Sequence, residues 1–293
     1  MKKEILLFVS IAFTSCLTCC NNASNNNTQS NKLNIQNQGV KIAYTDQGNG
    51  DTTLLFVHGW CINKTYWTNQ VAYFNRKYRV VTMDLPGFGQ SGKNRKIWNT
   101  ATFAKDVDAV IAQLHLKNVI LIGHSMAGDI IVQAAINAPQ KVVGLVGVDN
   151  FKSVGIGSKP TKQDSLAYAK AIDSLKHNFK AIAFEYFNHD LFYKTTSSAI
   201  RKRVLNDVAH SDSTIAAACM ELSNFDEANK LVEANKKLCL INSDVKPTNT
   251  SGLKAKKIPF QVWFIHATGH FPMIEKPDGF NVLLQKAIYH IKS

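Results

Sequence analysis

The chain has no internal apolar stretch long enough to span a bilayer, so its 293 residues read as ordinary globular sequence. That length fits one large domain or two smaller ones. It also has no arginine-rich block and no nucleic-acid-binding motif. The formal charge of +13 is lysine-driven and spread along the whole chain, which reads as a solvated basic surface ahead of a weak attraction to anionic membranes. Nucleic acid is not an expected partner. Cysteine is sparse beyond the first twenty residues. Cys61, Cys219 and Cys239 are odd in number and widely separated, which excludes a disulfide framework and a zinc site and leaves buried packing thiols.

The beginning of the chain is different. Lys2 and Lys3 form a basic start, Ile5 to Phe13 form an apolar run, and Cys16, Cys19 and Cys20 follow among small and polar residues. This resembles a bacterial secretory signal peptide over residues 1–20. "FTSC" at Cys16 and "LTCC" at Cys20 both resemble a lipidation box. Lipidation is therefore favoured over plain secretion, and a retained membrane helix is disfavoured because the apolar run is short. Residues 21–32, Asn/Ser-rich and without an aromatic, cannot pack a core and read as a tether. The expected location is the bacterial cell envelope, lipid-anchored, or otherwise periplasmic or secreted.

From residue 33 onward strands and helices alternate. "GVKIAYTDQG" (39–48), "TTLLFVHG" (52–59), "YRVVTMD" (78–84), "NVILIG" (118–123) and "VVGLVGVD" (142–149) read as strands. Between them, 65–74 and 126–137 read as helices. So does 100–116, where Phe103, Val107, Val110, Ile111 and Leu114 recur at helical spacing. The strands are continuous apolar runs rather than alternating ones, so both faces are covered. That predicts a mostly parallel sheet flanked by helices, with ligands bound at the carboxyl ends of the strands. The rhythm breaks over 151–236. Phe179, Ile182, Ala183, Tyr186 and Phe187 make one helical stripe there, and Ile200, Val204, Leu205 and Val208 another. A helical cap over 151–236 is expected, set into a core of 33–150 and 237–293. Strands resume at 237–244 and from 258, and a helix closes the chain over 280–291.

Chemistry collects at the strand ends. "LIGHSMAGDI" (121–130) sets Ser125 directly after a buried strand. A serine hydroxyl is a weak nucleophile unless a base lies within hydrogen-bond reach and a third group orients that base. Asp244 and His270 follow two later strands, in the order Ser, acid, His. With "HGW" (58–60), "DLPGFGQS" (84–91), "GHSMAG" (123–128), "INSDVKPTN" (241–249) and "GHFPMIEKPDGFN" (269–281), the chain resembles the α/β-hydrolase superfamily from about residue 39 to 292.

The resemblance implies an α/β-hydrolase fold with a helical cap after the sixth strand. It implies Ser125 as nucleophile, His270 as base and Asp244 as its orienter, with the backbone N–H groups of Trp60 and Met126 binding the oxyanion. It calls for no metal and no cofactor. Dehalogenase and epoxide hydrolase branches carry an aspartate at the nucleophile position, which is Ser125 here. The bland alternative for Ser125 is a helix N-cap. Asp149, at the end of the preceding strand, rivals Asp244 as the acid, and His266 and His58 are the rivals of His270. Asp84 and His124 are expected to be structural. Gly-x-Ser-x-Gly would place glycine at 127, where this chain has Ala127.

The expected activity is cleavage of a carboxylic ester or related acyl bond through an acyl-enzyme. A cofactor-free haloperoxidase-like or perhydrolase reaction, or carbon–carbon bond hydrolysis, could run on the same triad, and a non-catalytic ligand-binding role is the alternative of another class. Trp60, Trp67, Met126, Phe151 and Phe271 lie near the catalytic loops and suggest a pocket for a hydrophobic acyl or aryl group. For the lipid anchor, the expected outcome is incorporation of radiolabelled fatty acid into the expressed protein, and an unlabelled product counts against it.

Overall fold

The computed structural model describes residues 34–156, 161–221 and 225–293. The expected signal, the tether, and the lipidation candidates Cys16 and Cys20 lie outside the described residues. The elements run β1 (Asn34–Asn37), β2 (Val40–Gln47), β3 (Thr53–Val57), α1 (Thr68–Phe74), β4 (Arg79–Met83), α2 (Thr100–Gln113), β5 (Val119–His124), α3 (Ala127–Asn137) and β6 (Val142–Val148). Then come α4 (Lys162–His177), α5 (Phe179–Tyr186), α6 (Ser198–Ala209), α7 (Ser213–Cys219) and α8 (Glu227–Ala234). The chain ends with β7 (Leu238–Ser243), α9 (Ser251–Ala255), β8 (Phe260–Ile265), α10 (Pro272–Glu275) and α11 (Pro277–Lys292). A 3-10 turn, Lys64–Trp67, precedes α1, and a π turn, Phe187–Leu191, follows α5.

The eight strands form one sheet in the order β1-β2-β4-β3-β5-β6-β7-β8. β1 and β2 pair antiparallel, as do β2 and β4, and every pairing from β4 across to β8 is parallel. β3, β5 and β7 are buried along their whole length, as their largely apolar sequences require. Helices α2, α3 and α8 pack as one group and α1 and α11 as another. α11 lies so close to the sheet that a Cβ on Gly144 of β6 would sit 2.4 Å from Ile291. This is the α/β-hydrolase fold expected from the sequence, with the helical cap α4 to α8 leaving after the sixth strand.

Local chemistry sets the helix starts. Asn99 caps α2 through its side chain, which accepts from the Thr102 N–H, while Thr102 Oγ1 accepts from the Asn99 N–H. α2 ends at Gln113, short of the expected residue 116, because His115 turns to φ 51. Thr161 and Asp164 make the same reciprocal cap on α4. Neither α4 nor the four-residue β1 is legible in the sequence. α4 buries only Ile172 and Leu175 along its length, which leaves no apolar stripe to see. β1 offers one buried apolar residue, Ile35, and is tied down by polar contacts: Asn37 donates to Asp106 on α2 at 2.7 Å.

The strand order opens a crevice at one edge of the sheet. β3 and β5 are neighbours, yet the chain leaves β3 for β4 on one side and goes on from β5 to β6 on the other. The loops after β3 and β5 therefore part in opposite directions at the carboxyl edge, where ligands bind in sheets of this kind.

Beside that crevice, Asp129 on α3 faces Glu227 on α8. Burial, and then the neighbouring Glu227 charge, push the Asp129 carboxyl up to about 8, and burial raises Glu227 as well. An unfolded aspartate titrates near 3.9, so Asp129 binds its proton more tightly when folded. The stability this contributes is complete below about pH 4 and is lost as pH rises through about 8. Asp129→Asn is expected to raise Tm above that of the parent protein at pH 9 by more than at pH 5. Thermal unfolding at both pH values checks it.

Candidate active site

Ser125 occupies a strained turn between β5 and α3. Its φ is 53°, in the left-handed region that a non-glycine residue enters at a cost of roughly 1–3 kcal/mol. Its N–H donates to Val148 O on the neighbouring strand at 3.0 Å, and its carbonyl accepts from the Gly128 N–H at 2.9 Å. It is not the N-cap of α3. That position is Met126, and no side chain caps the helix start. The turn is tight because a Cβ on Gly123 would sit 2.6 Å from Ala127 O. Alanine at 127, where the pattern would have glycine, fits in the fully buried site. Gly128, one position later, is the residue that cannot grow: a Cβ there would lie 2.7 Å from Asn150 Nδ2.

The acid on the histidine is Asp149, not Asp244. His270 Nδ1 donates to Asp149 Oδ2 at 2.6 Å, with only 12% and 2% of the two side chains exposed. The Asp149 loop is aimed inward. Asp149 itself has φ 50°, its N–H donates to Ile241 O at 3.0 Å, and the following Asn150 donates its amide to Gly123 O (2.9 Å) and Ser125 O (3.2 Å). That amide staples the acid loop to the serine turn. Asp244 is held elsewhere. Its Oδ2 accepts from the Ala267 N–H at 2.8 Å and its Oδ1 accepts from His266 Nδ1 at 2.9 Å. The expected pairing of Asp244 with His270 is thus replaced by an outer pair, Asp244 with His266, at the end of β8. His266, the rival histidine, is 77% exposed and away from the serine turn.

Electrostatics agree with this arrangement. Burial alone would push the Asp149 carboxyl up. The His270 hydrogen bond and the charges of His270 and Lys152 outweigh it and hold Asp149 well below the usual carboxylate range. The Ser243 N–H also donates to Asp149 Oδ1 at 2.7 Å. With Nδ1 bound to the carboxylate, Nε2 is the ring nitrogen left for proton transfer.

Two further histidines are neutral scaffolding. Burial pushes His58 down. Its Nε2 accepts from the Leu85 N–H at 2.9 Å, so Nδ1 carries the hydrogen and donates to Gly59 O at 2.8 Å. It thereby locks the loop after β3 to the turn after β4. Burial, and then the His270 ring, push His124 far down. Its Nε2 donates to His270 O at 2.7 Å, drawing the histidine loop across the sheet toward β5. Glu275 on α10 holds the same loop, accepting from the N–H groups of Gly269 (2.9 Å) and Phe271 (3.3 Å). Asp84 is structural as expected: it is fully buried and bound by the Lys64 ammonium at 2.6 Å.

Ser125 and His270 open into a cavity of about 260 Å³. Trp60, Met126, Tyr186, Phe187, Leu191 and Phe271 form most of its wall. Ser125 and Met126 also border a larger cleft of about 760 Å³ that contains Asp129, Glu227 and Trp98. Of the expected pocket residues, Trp60, Met126 and Phe271 line the small cavity. Trp67 lies behind it, packed against Phe56, His124 and Phe280, and Phe151 is buried against Gly128. Both belong to the core. A Cβ on Gly59 would be 3.0 Å from that of Ser125, so the loop carrying Trp60 presses directly on the serine turn. Leu191 and Met220 of the wall escape sequence reasoning because neither sits near a motif. Tyr186 and Phe187 are visible there only as part of a helical stripe.

A family model described as the alpha/beta hydrolase fold matches residues 52–277. Among curated proteins, an uncharacterized hydrolase of Bacillus subtilis is 36% identical over 104 residues, 35% of this chain and 38% of that protein. The chain spans well under two thirds of the length of the first two curated relatives it matches. A pimeloyl-[acyl-carrier protein] methyl ester esterase of Aliivibrio salmonicida is 26% identical over 204 residues, 68% of this chain and 76% of that one. Among solved structures, a thermophilic esterase from Thermogutta terrifontis superposes with a TM-score of 0.75 at 18% identity, covering 89% of this chain and 99% of the other, a likeness of fold. With a buried Asp149–His270 pair beside a strained serine turn, and a family match over most of its length, the chain belongs to the alpha/beta hydrolase family.

Proposed function

We propose that the protein is a serine hydrolase that cleaves a carboxylic ester or related acyl bond. One observation carries the reading: the 2.6 Å hydrogen bond from His270 Nδ1 to a buried carboxylate, at the floor of a cavity that Ser125 also lines. In this reading Ser125 Oγ attacks the substrate carbonyl carbon and His270 Nε2 takes its proton. The oxyanion is met by the N–H groups of Met126, at the start of α3, and Trp60, on the loop after β3. The intermediate collapses, the leaving alcohol receives the proton from His270, and the acyl group stays on Ser125. A water then loses a proton to His270 and attacks the ester, releasing the acid and restoring Ser125. Asp149 stays ionised throughout and stabilises the imidazolium.

The cavity supports a small apolar acyl group. At about 260 Å³ it lies just under the usual range of ligand pockets, and its wall is aromatic and aliphatic. The larger cleft beyond Met126 leaves room for the alcohol. The N-terminal sequence supports export and lipid anchoring of this enzyme, with Cys16 or Cys20 as the modified residue. Esterase activity separates this reading from the ligand-binding alternative.

Two outcomes are expected. With p-nitrophenyl esters, Ser125→Ala abolishes turnover and fluorophosphonate labelling, and Asp149→Asn lowers kcat by about 10⁴-fold, as loss of the orienting acid does in such triads. Asp244→Asn stays within a few-fold of the parent enzyme. Steady-state kinetics check it, and the reverse ranking of the two aspartates would overturn the assignment. Across a graded ester series, kcat/KM is expected to peak at short acyl chains. Leu191→Ala, which enlarges the cavity, moves the peak to longer ones. An unmoved optimum would place the acyl group outside this cavity.

A further inference from the structure

Asp149 has a second charged partner. Lys152, three residues on, brings its Nζ to 2.8 Å from Asp149 Oδ1, with 14% of the lysine side chain exposed and 2% of the aspartate's. The backbone forces this approach. Asp149 at φ 50° and Phe151 at φ 52° curl the chain back on itself, and Asn249 N–H donates to Lys152 O at 2.7 Å, fixing the turn. At that distance the ammonium and the carboxylate form a close ion pair. Asp149 Oδ1 thus faces a cation and the Ser243 N–H, while Oδ2 faces His270.

We propose that Lys152 is a positioning residue that sets the pH at which the catalytic base becomes available. Its ammonium, held on the far oxygen of Asp149, offsets part of the carboxylate's pull on the His270 proton. This rests on the reading of Asp149 as the triad acid. A carboxylate beside an imidazole stabilises the charged ring and so keeps it protonated to higher pH. A cation on the same carboxylate opposes that charged ring and lets it shed its proton at lower pH. Lys152 also keeps Asp149 ionised against the cost of burial.

The other groups around His270 cannot take this role. His124 is buried and neutral. Tyr186 on the cap keeps its phenol proton, its titration raised first by burial and then by the charges of Asp190 and Asp149. Glu275 is committed to the backbone of the histidine loop and to Thr196. Asp244 is engaged by Ala267 and His266. Lys152 is the cation in contact with the triad carboxylate among the described residues.

The test is the pH dependence of kcat/KM from pH 5 to 9 on one p-nitrophenyl ester, for the parent enzyme and for Lys152→Met, Lys152→Gln and Lys152→Arg. Removing a unit charge a few ångströms from the pair is expected to move the acidic limb up by about one pH unit in the Met and Gln variants. Activity at high pH falls far less than activity at pH 5 to 6, and Arg keeps the parent limb. A Met or Gln variant that melts normally but keeps its acidic limb, or loses activity equally at every pH, overturns the inference. Should Met destabilise the turn, the polar Gln variant carries the test, and an Arg variant whose limb moves with it also overturns the inference. Failure of the Asp149 reading is seen separately, as turnover that survives Asp149→Asn.

Discussion

The hydrogen bond between His270 and Asp149 is the constraint around which the carboxyl edge of the sheet is arranged. Asp149 directly follows β6, while His270 lies in the loop after β8, two strands further out. A loop from an edge strand reaches a central one only if something pulls it inward. Three attachments do so: the His124 ring on His270 O, Leu191 O on the His270 N–H, and Glu275 on the N–H groups either side. The cap therefore takes part, because Leu191 belongs to it. Cap, histidine loop and β5 are joined through one residue, and the small apolar cavity is the space enclosed where they meet.

Backbone strain is concentrated in the same place. Ser125 and Asp149 both sit in the left-handed region, and each is held there by its neighbours on adjacent strands. Asn150 connects the two strained turns, and the small residues around it are what let it do so. A Cβ on Gly147 would fall 2.2 Å from Asn150 Oδ1, and one on Gly128 would crowd its Nδ2. Gly147 and Gly128 are thus needed for an approach between two loops rather than for their own dihedral angles. The missing glycine at 127 is harmless for the same reason: the close contacts fall on its neighbours, 123 and 128.

The fold was legible because parallel strands buried on both faces must be written as largely apolar runs, and β3, β5, β6 and β7 all are. The elements that escaped, β1 and α4, are held by polar contacts or capping rather than by a broad apolar face, so they leave no periodic trace. At the site, Ser125 and His270 stood out because each lies within a motif whose neighbours have steric or hydrogen-bonding duties of their own. Lys152 left no signal, since a lysine three residues past a strand resembles any solvated loop charge until the turn is seen to fold back.

The acid was the ambiguous member, and the reason is geometric. β6 and β7 are neighbours in parallel register, and each ends in a residue followed by an aspartate. Their carboxyl ends stand one strand apart, so a carboxylate from either could meet a histidine arriving from β8. What decides between them is the direction each loop takes after its strand. After β6, the positive φ of Asp149 and the grip of Asn150 on the serine turn send the carboxylate toward β5. After β7, Asp244 meets the Ala267 N–H and the His266 ring first, and both its oxygens are engaged before it can approach His270. Burial points the same way. A carboxylate with 29% of its side chain exposed is well screened by water and has little hold on an imidazole, whereas one at 2% transmits its charge to the ring almost undiluted. That same lack of screening makes any second cation on the inner carboxylate felt at the histidine, so burying the acid and placing Lys152 beside it both bear on the charge that the His270 ring faces.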